Sequence, residues 1–99
     1  MRLARRIDVS HVPIRDALRR HWPVEDMARA GSGFPDLVVH HAGKVVLVEC
    51  KQARNKVGKV TESRVEASQV DFAGRWRGGP IVTATSPDQA VAAVLLALG

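Results

Sequence analysis

The chain has 99 residues, 45% hydrophobic and 25% charged, with 15 Lys and Arg against 10 Asp and Glu for a net charge of +5. That length suits one domain spanning residues 1–99, and a single cysteine excludes an intrachain disulfide and a multi-cysteine zinc site. The longest apolar run, residues 90–98, falls well short of the ~20 residues that span a bilayer, and no signal-peptide-like stretch follows the basic residues 1–6, so the chain reads as cytoplasmic.

The basic excess suits a polyanionic partner, because each neutralised phosphate releases counterions, although many small proteins are basic without one. Residues 9–22 are helical in pattern: Ile14, Leu18 and Trp22 recur every fourth residue, Ser10 can cap the start, Pro13 fits the first turn and Pro23 closes the end. Residues 23–29 read as a short edge strand, followed by the turn Gly31-Ser32-Gly33. Residues 36–41 (DLVVHH) and 44–51 (KVVLVECK) form a hairpin around Ala42-Gly43. A basic connector follows, residues 54–59, and then a helix opened by the Ser63/Glu66 capping box and carrying Gln69, Phe72, Ala73 and Trp76 on one face. Gly78-Gly79-Pro80 ends it, residues 81–84 form a buried strand, and Ser86, Pro87 and Gln89 start a last helix in cap order. The result is an α/β domain of order α-β-β-β-α-β-α, a small mixed sheet covered by helices.

Counting outward from the hairpin turn pairs His41 with Lys44 and, five steps on, Asp36 with Glu49. Opposed residues share a face with Cβ atoms about 4.5–5.5 Å apart. Two carboxylates so placed repel unless a cation lies between them or one is protonated. Oxygen ligands favour a hard ion, Mg²⁺ or Mn²⁺. Lys51 shares the face of Glu49, where an ammonium can steady an attacking water or offset charge on a phosphate. Cys50 points the other way, into the layer of Val46 and Val48. The residues alone also allow a plainer account, with Asp36 a turn residue after Pro35 and Glu49-Lys51 a solvent-facing pair. No Ser/His nucleophile pair and no Gly-rich phosphate loop is present.

The string Gly33-Phe34-Pro35-Asp36-Leu37, a hairpin, and then Glu49-Cys50-Lys51 resembles the PD-(D/E)xK nuclease signature, whose core is restriction-endonuclease-like. Gln69 with Val70, Asp71, Phe72 and Trp76, and the tail Pro80-Ile81-Val82 with Ser86-Pro87-Asp88-Gln89-Ala90, is similar to the VRR-NUC branch and its stand-alone phage and bacterial members. The resemblance implies a structure-selective DNA endonuclease, Holliday-junction-resolvase-like, that uses Mg²⁺ or Mn²⁺ and acts on branched or junction DNA as a homodimer. By the same resemblance Asp36 and Glu49 are metal ligands, the Cys50 carbonyl is a further ligand, Lys51 is the catalytic lysine, and Gln69 orients lysine, water or phosphate. The alternative is a catalytically degenerate DNA-binding or assembly module of the same fold. It is favoured by one departure: where the family often has a first-helix glutamate, this register has Pro13, with Asp8 or Asp16 as poor substitutes and Ser10 in place of an asparagine.

Arg54, Lys56 and Lys59 leave the strand of Glu49 and Lys51 directly and are candidates to track the DNA backbone, or simply a solvated loop. All four histidines are expected in structural or surface roles, and Trp22 and Trp76 as core or interface anchors. The last helix is apolar nearly all round, which in a chain this short favours a homodimer.

Overall fold

A computed structural model describes residues 10–30, 33–51 and 67–99. The expected connector with Arg54, Lys56 and Lys59, the Ser63/Glu66 capping box, Asp8 and the turn residues Gly31 and Ser32 lie outside the described residues. The elements run α1 (His11–Arg19), β1 (Val24–Asp26), β2 (Leu37–His41), β3 (Lys44–Cys50), α2 (Ala67–Arg75), β4 (Ile81–Ala84) and α3 (Pro87–Leu98). This is the expected α-β-β-β-α-β-α order, on a four-stranded sheet ordered β1-β2-β3-β4. β1–β2 and β2–β3 are antiparallel and β3–β4 is parallel, so the sheet is mixed. Among the described residues no helix is long and apolar enough to cross a membrane.

β3 is a central strand, which explains its nearly unbroken apolar run. Val46, Val48 and Cys50 face the main core, while Leu47 is buried on the opposite face. The main core packs Leu37, Val39, Val46, Val48, Cys50 and Ala84 of the sheet against Ile14 and Leu18 of α1 and Ala90 and Val94 of α3. Each fully buried Val, Leu or Ile contributes about 1.5–3 kcal/mol against exposure. That layer fixes the sheet's registers and so the positions of the charged residues at the end of β3.

The hairpin has the expected register, with His41 opposite Lys44 and Leu37 opposite Val48. Its two central residues both have positive φ, 51° at Ala42 and 81° at Gly43. A two-residue turn of that kind matches the twist of the strands, and it prefers Asn-Gly. Ala42 carries a Cβ in the left-handed region, where asparagine is better tolerated. Ala42→Asn is therefore expected to stabilise the fold by about 0.5–1 kcal/mol, a rise of about 3–6 °C in the unfolding midpoint by calorimetry.

α1 is shorter than its sequence pattern. It ends at Arg19, and the His21 N–H closes a tighter turn onto Leu18 O at 2.9 Å while Trp22 packs against the core. Ser10 occupies the N-cap position, but its hydroxyl makes no cap bond and donates instead to the Lys51 carbonyl at 3.2 Å. The sequence expectation of a Ser10 cap is corrected accordingly: the hydroxyl ties the start of α1 to the end of β3. At α3 the cap is as expected, with Ser86 accepting from Gln89 N–H at 3.2 Å and Pro87 in the first turn.

Candidate active site

Glu49 and Lys51 leave the same face of β3, and the Lys51 ammonium lies 3.6 Å from Glu49 Oε2. Gln69, on α2, donates from Nε2 to the same oxygen at 2.7 Å. Three of the four residues expected to act together from sequence are thus in contact. The side chains of Glu49 and Lys51 are 13% and 25% exposed, open enough for a substrate to reach. The Lys51 backbone is fixed on both sides, its N–H on Ala84 O at 2.9 Å and its C=O on Ser10. The ammonium is therefore presented from a backbone that its own ion pair does not have to hold.

The fourth residue, Asp36, sits differently from the expected cross-strand pair. The β2–β3 ladder ends at Leu37–Val48, and Asp36 is a bend residue just outside it. Its buried carboxylate accepts the Cys50 amide N–H through Oδ2 at 2.8 Å. In that register Cys50 would face Pro35, which offers no N–H and stands outside the strand, so a side chain closes the ladder where backbone does not. The atom of Cys50 that meets Asp36 is its N–H; the Cys50 carbonyl is an expectation from the family resemblance.

The segment leading to Asp36 is locked to the helix bearing Gln69. Phe34 meets Phe72 edge-on at 5.1 Å, and Phe72 stacks on Trp76 at 5.4 Å. Gly33 has φ +80°, and a Cβ there would lie 2.1 Å from Ser68 O, a backbone atom that cannot step aside cheaply. Gly33→Ala is expected to cost about 2–4 kcal/mol in denaturant unfolding, from the φ penalty plus the displacement of α2. The displacement would also carry Gln69 away from Glu49.

The described histidines divide sharply. His21 and His41 are exposed and His40 pairs with Glu25 at 3.1 Å, as expected of surface residues. His11 is not a surface residue, being 2% exposed. Its Nε2 meets both carboxylate oxygens of Asp26, at 3.1 and 3.0 Å. Asp26 also accepts from Ala28 N–H at 3.1 Å and Arg15 at 3.0 Å. Burial pushes the Asp26 carboxyl upward, but the bonds from His11, Ala28 and Arg15 outweigh it and hold the pKa at about 2. The other ring nitrogen of His11, Nδ1, is buried and has no hydrogen-bond partner among the described residues. One ligand atom each from His11, Asp36 and Cys50 falls within 4.8 Å of the others.

Sequence reasoning missed this arrangement. The first-helix residue that α1 aims at Asp36 is His11; Pro13, which the family register had placed there, is exposed. The available signal was that His11 extends the buried Ile14–Leu18 stripe one turn toward the N-terminus.

The chain matches the profile of the family described as archaeal Holliday junction resolvase (Hjc) over residues 23–97. That span includes β1 through almost all of α3, and with them Asp36, Glu49, Lys51 and Gln69. Neither the curated proteins nor the solved structures compared with the chain include a significant match.

Proposed function

The chain belongs to the archaeal Holliday junction resolvase family, within the PD-(D/E)xK nuclease superfamily, and on that premise we propose that it is a divalent-metal-dependent endonuclease that cuts the backbone of four-way junction DNA. The observation that carries the reading is the contact of Lys51, Glu49 and Gln69 beside the strand end that bears Asp36. Asp36 and Glu49 supply oxygen donors suited to Mg²⁺ or Mn²⁺, with the Cys50 carbonyl as a further ligand. A carboxylate accepts at up to about four positions, so the Gln69 bond to Glu49 is compatible with coordination. Held by these residues, a hard ion would supply Lewis acidity at the scissile phosphate.

The chain's own residues do the rest. Lys51 offsets negative charge building on the scissile phosphate, and Gln69 fixes the orientation of the Glu49 carboxylate. Arg54, Lys56 and Lys59 track the flanking backbone, in keeping with the net charge of +5. The finer placement in the VRR-NUC branch rests on Gln69 in α2 and on Ser86-Pro87-Asp88-Gln89 after β4.

The test is a panel of four-way junction, flap and linear duplex with Mg²⁺, Mn²⁺ or chelator, run on the wild type and Lys51→Ala. Metal-dependent cutting favouring the junction, and lost in Lys51→Ala, is expected. Junction binding without cutting in either metal would overturn the reading and leave a DNA-binding module of the same fold.

The homodimer belongs to the same proposal. α3 buries Ala90 and Val94 but leaves Leu95 and Leu96 58% and 83% exposed. Burying each Leu would contribute about 1.5–3 kcal/mol, and two sites in one dimer suit paired cuts on a junction. The double substitution Leu95→Glu, Leu96→Glu is expected to convert a dimer into a monomer by sedimentation velocity. A wild-type monomer at micromolar concentration would remove the dimer from the proposal.

A further inference from the structure

We infer that His11 Nδ1, the Cys50 thiol and the Asp36 carboxylate form a binding site for a thiophilic divalent ion, with Zn²⁺ the best-fitting one. The three side chains are each buried, and one ligand atom from each lies within 4.8 Å of the other two. Ligands held about 2.0–2.3 Å from a tetrahedral ion are about 3.3–3.8 Å apart, so closure on an ion needs shifts of about an ångström. A donor set of imidazole, thiolate and carboxylate is soft compared with the oxygen-only set on the Glu49–Lys51 face.

His11 points to a ligand independently of that spacing. Asp26 accepts at Nε2 through both carboxylate oxygens, so that nitrogen carries a proton, and the neutral ring that binds a metal presents its lone pair at Nδ1. Nδ1 is buried among protein atoms and meets no donor among the described residues. Leaving a buried acceptor unsatisfied costs about 1–3 kcal/mol, which a bound cation would remove. A histidine whose other nitrogen is held by a carboxylate is the usual outer-shell arrangement around a metal-bound imidazole. Here it is built in depth, because Arg15 and Ala28 N–H hold Asp26 in turn. On binding, the Cys50 thiol releases its proton to solvent and the sulfur becomes the ligand.

The consequence for activity rests on the nuclease reading given above. Asp36 would serve both sites, so an ion drawn to His11 and Cys50 takes a carboxylate from the hard-ion site and suppresses cleavage. The soft site lies on the α1 side of β3, behind the Glu49–Lys51 face, so it competes through Asp36 and not by blocking DNA.

Cobalt(II) titration of the full chain tests the site without reference to activity. One equivalent should bind and give a thiolate-to-cobalt charge-transfer absorption, which Zn²⁺ then displaces. Cys50 is the chain's one cysteine, so a thiolate band in the wild type places that sulfur on the ion. Cys50→Ser should abolish the band, and His11→Gln and Asp26→Asn should each weaken Co²⁺ binding by tenfold or more. Lys51→Ala should keep the band in full. The site is refuted by a wild type that takes up Co²⁺ with no charge-transfer band, or by a band of undiminished affinity in a folded His11→Gln. Zn²⁺ at one equivalent should also suppress Mn²⁺-supported cleavage in the wild type. If the chain cuts no DNA, the nuclease reading fails and the cobalt spectrum still decides this one.

Discussion

Lys51→Ala is expected to lower junction cleavage by about 10²–10³-fold while shifting the unfolding free energy by no more than about 0.5–1 kcal/mol. The two halves of that expectation have separate physical grounds. The ammonium is partly exposed and pairs with Glu49 at 3.6 Å, and an ion pair of that kind contributes little to stability. The backbone of Lys51 is held by Ala84 and Ser10, contacts that alanine would keep. Activity differs because, under the proposed function, the Lys51 charge would lie beside the scissile phosphate and stabilise the transition state far more than the ground state. Single-turnover cleavage and calorimetry, run side by side, would separate the terms. Lys51→Arg should rescue poorly, since a planar fork cannot replace a compact ammonium at 3.6 Å from Glu49 Oε2 while Gln69 occupies the same oxygen. Cleavage by Lys51→Ala at the wild-type rate would show that the chemistry lies elsewhere.

Much of the architecture was legible because it is local. The run KVVLVEC reads as a strand of a hairpin, Ala42-Gly43 sets the register, and Ser86-Pro87-Gln89 announces α3. The contact of Glu49 with Lys51 follows from a two-residue spacing on one strand, and Gln69 was placed at the site by the family resemblance. What was not legible depends on partners distant in sequence. Ser10 looks like a helix cap until β3 brings the Lys51 carbonyl to it from 41 residues away. The Asp36–Glu49 pairing followed from extending a ladder that ends one rung earlier, because Pro35 offers no N–H and the Asp36 side chain takes the Cys50 amide instead. His11 was expected in a structural or surface role because nothing in the local sequence reveals that Asp26, on a strand beyond α1, fixes one of its nitrogens and that Asp36 and Cys50 lie close to the ring.

Asp36 is the residue at which stability and chemistry can be pulled apart most cleanly. Asp36→Ala is expected to cost about 1–3 kcal/mol, because the Cys50 N–H would remain buried without the acceptor that now lies 2.8 Å away. Asp36→Asn keeps an oxygen of the same reach, so most of that stability should survive. Both variants lose the negative charge that a divalent ion requires, so both should lose metal-supported cleavage by about 10²-fold or more. Guanidinium unfolding of the two proteins, beside Mn²⁺ titration by calorimetry, would read the contributions separately. Stability should rank wild type and Asn close together with Ala below, whereas Mn²⁺ affinity should rank wild type alone with both variants below. If Asn instead cut junctions like the wild type, the carboxylate would be a structural acceptor for Cys50 and nothing more. The plainer reading of Asp36 as a strand-end residue would then stand.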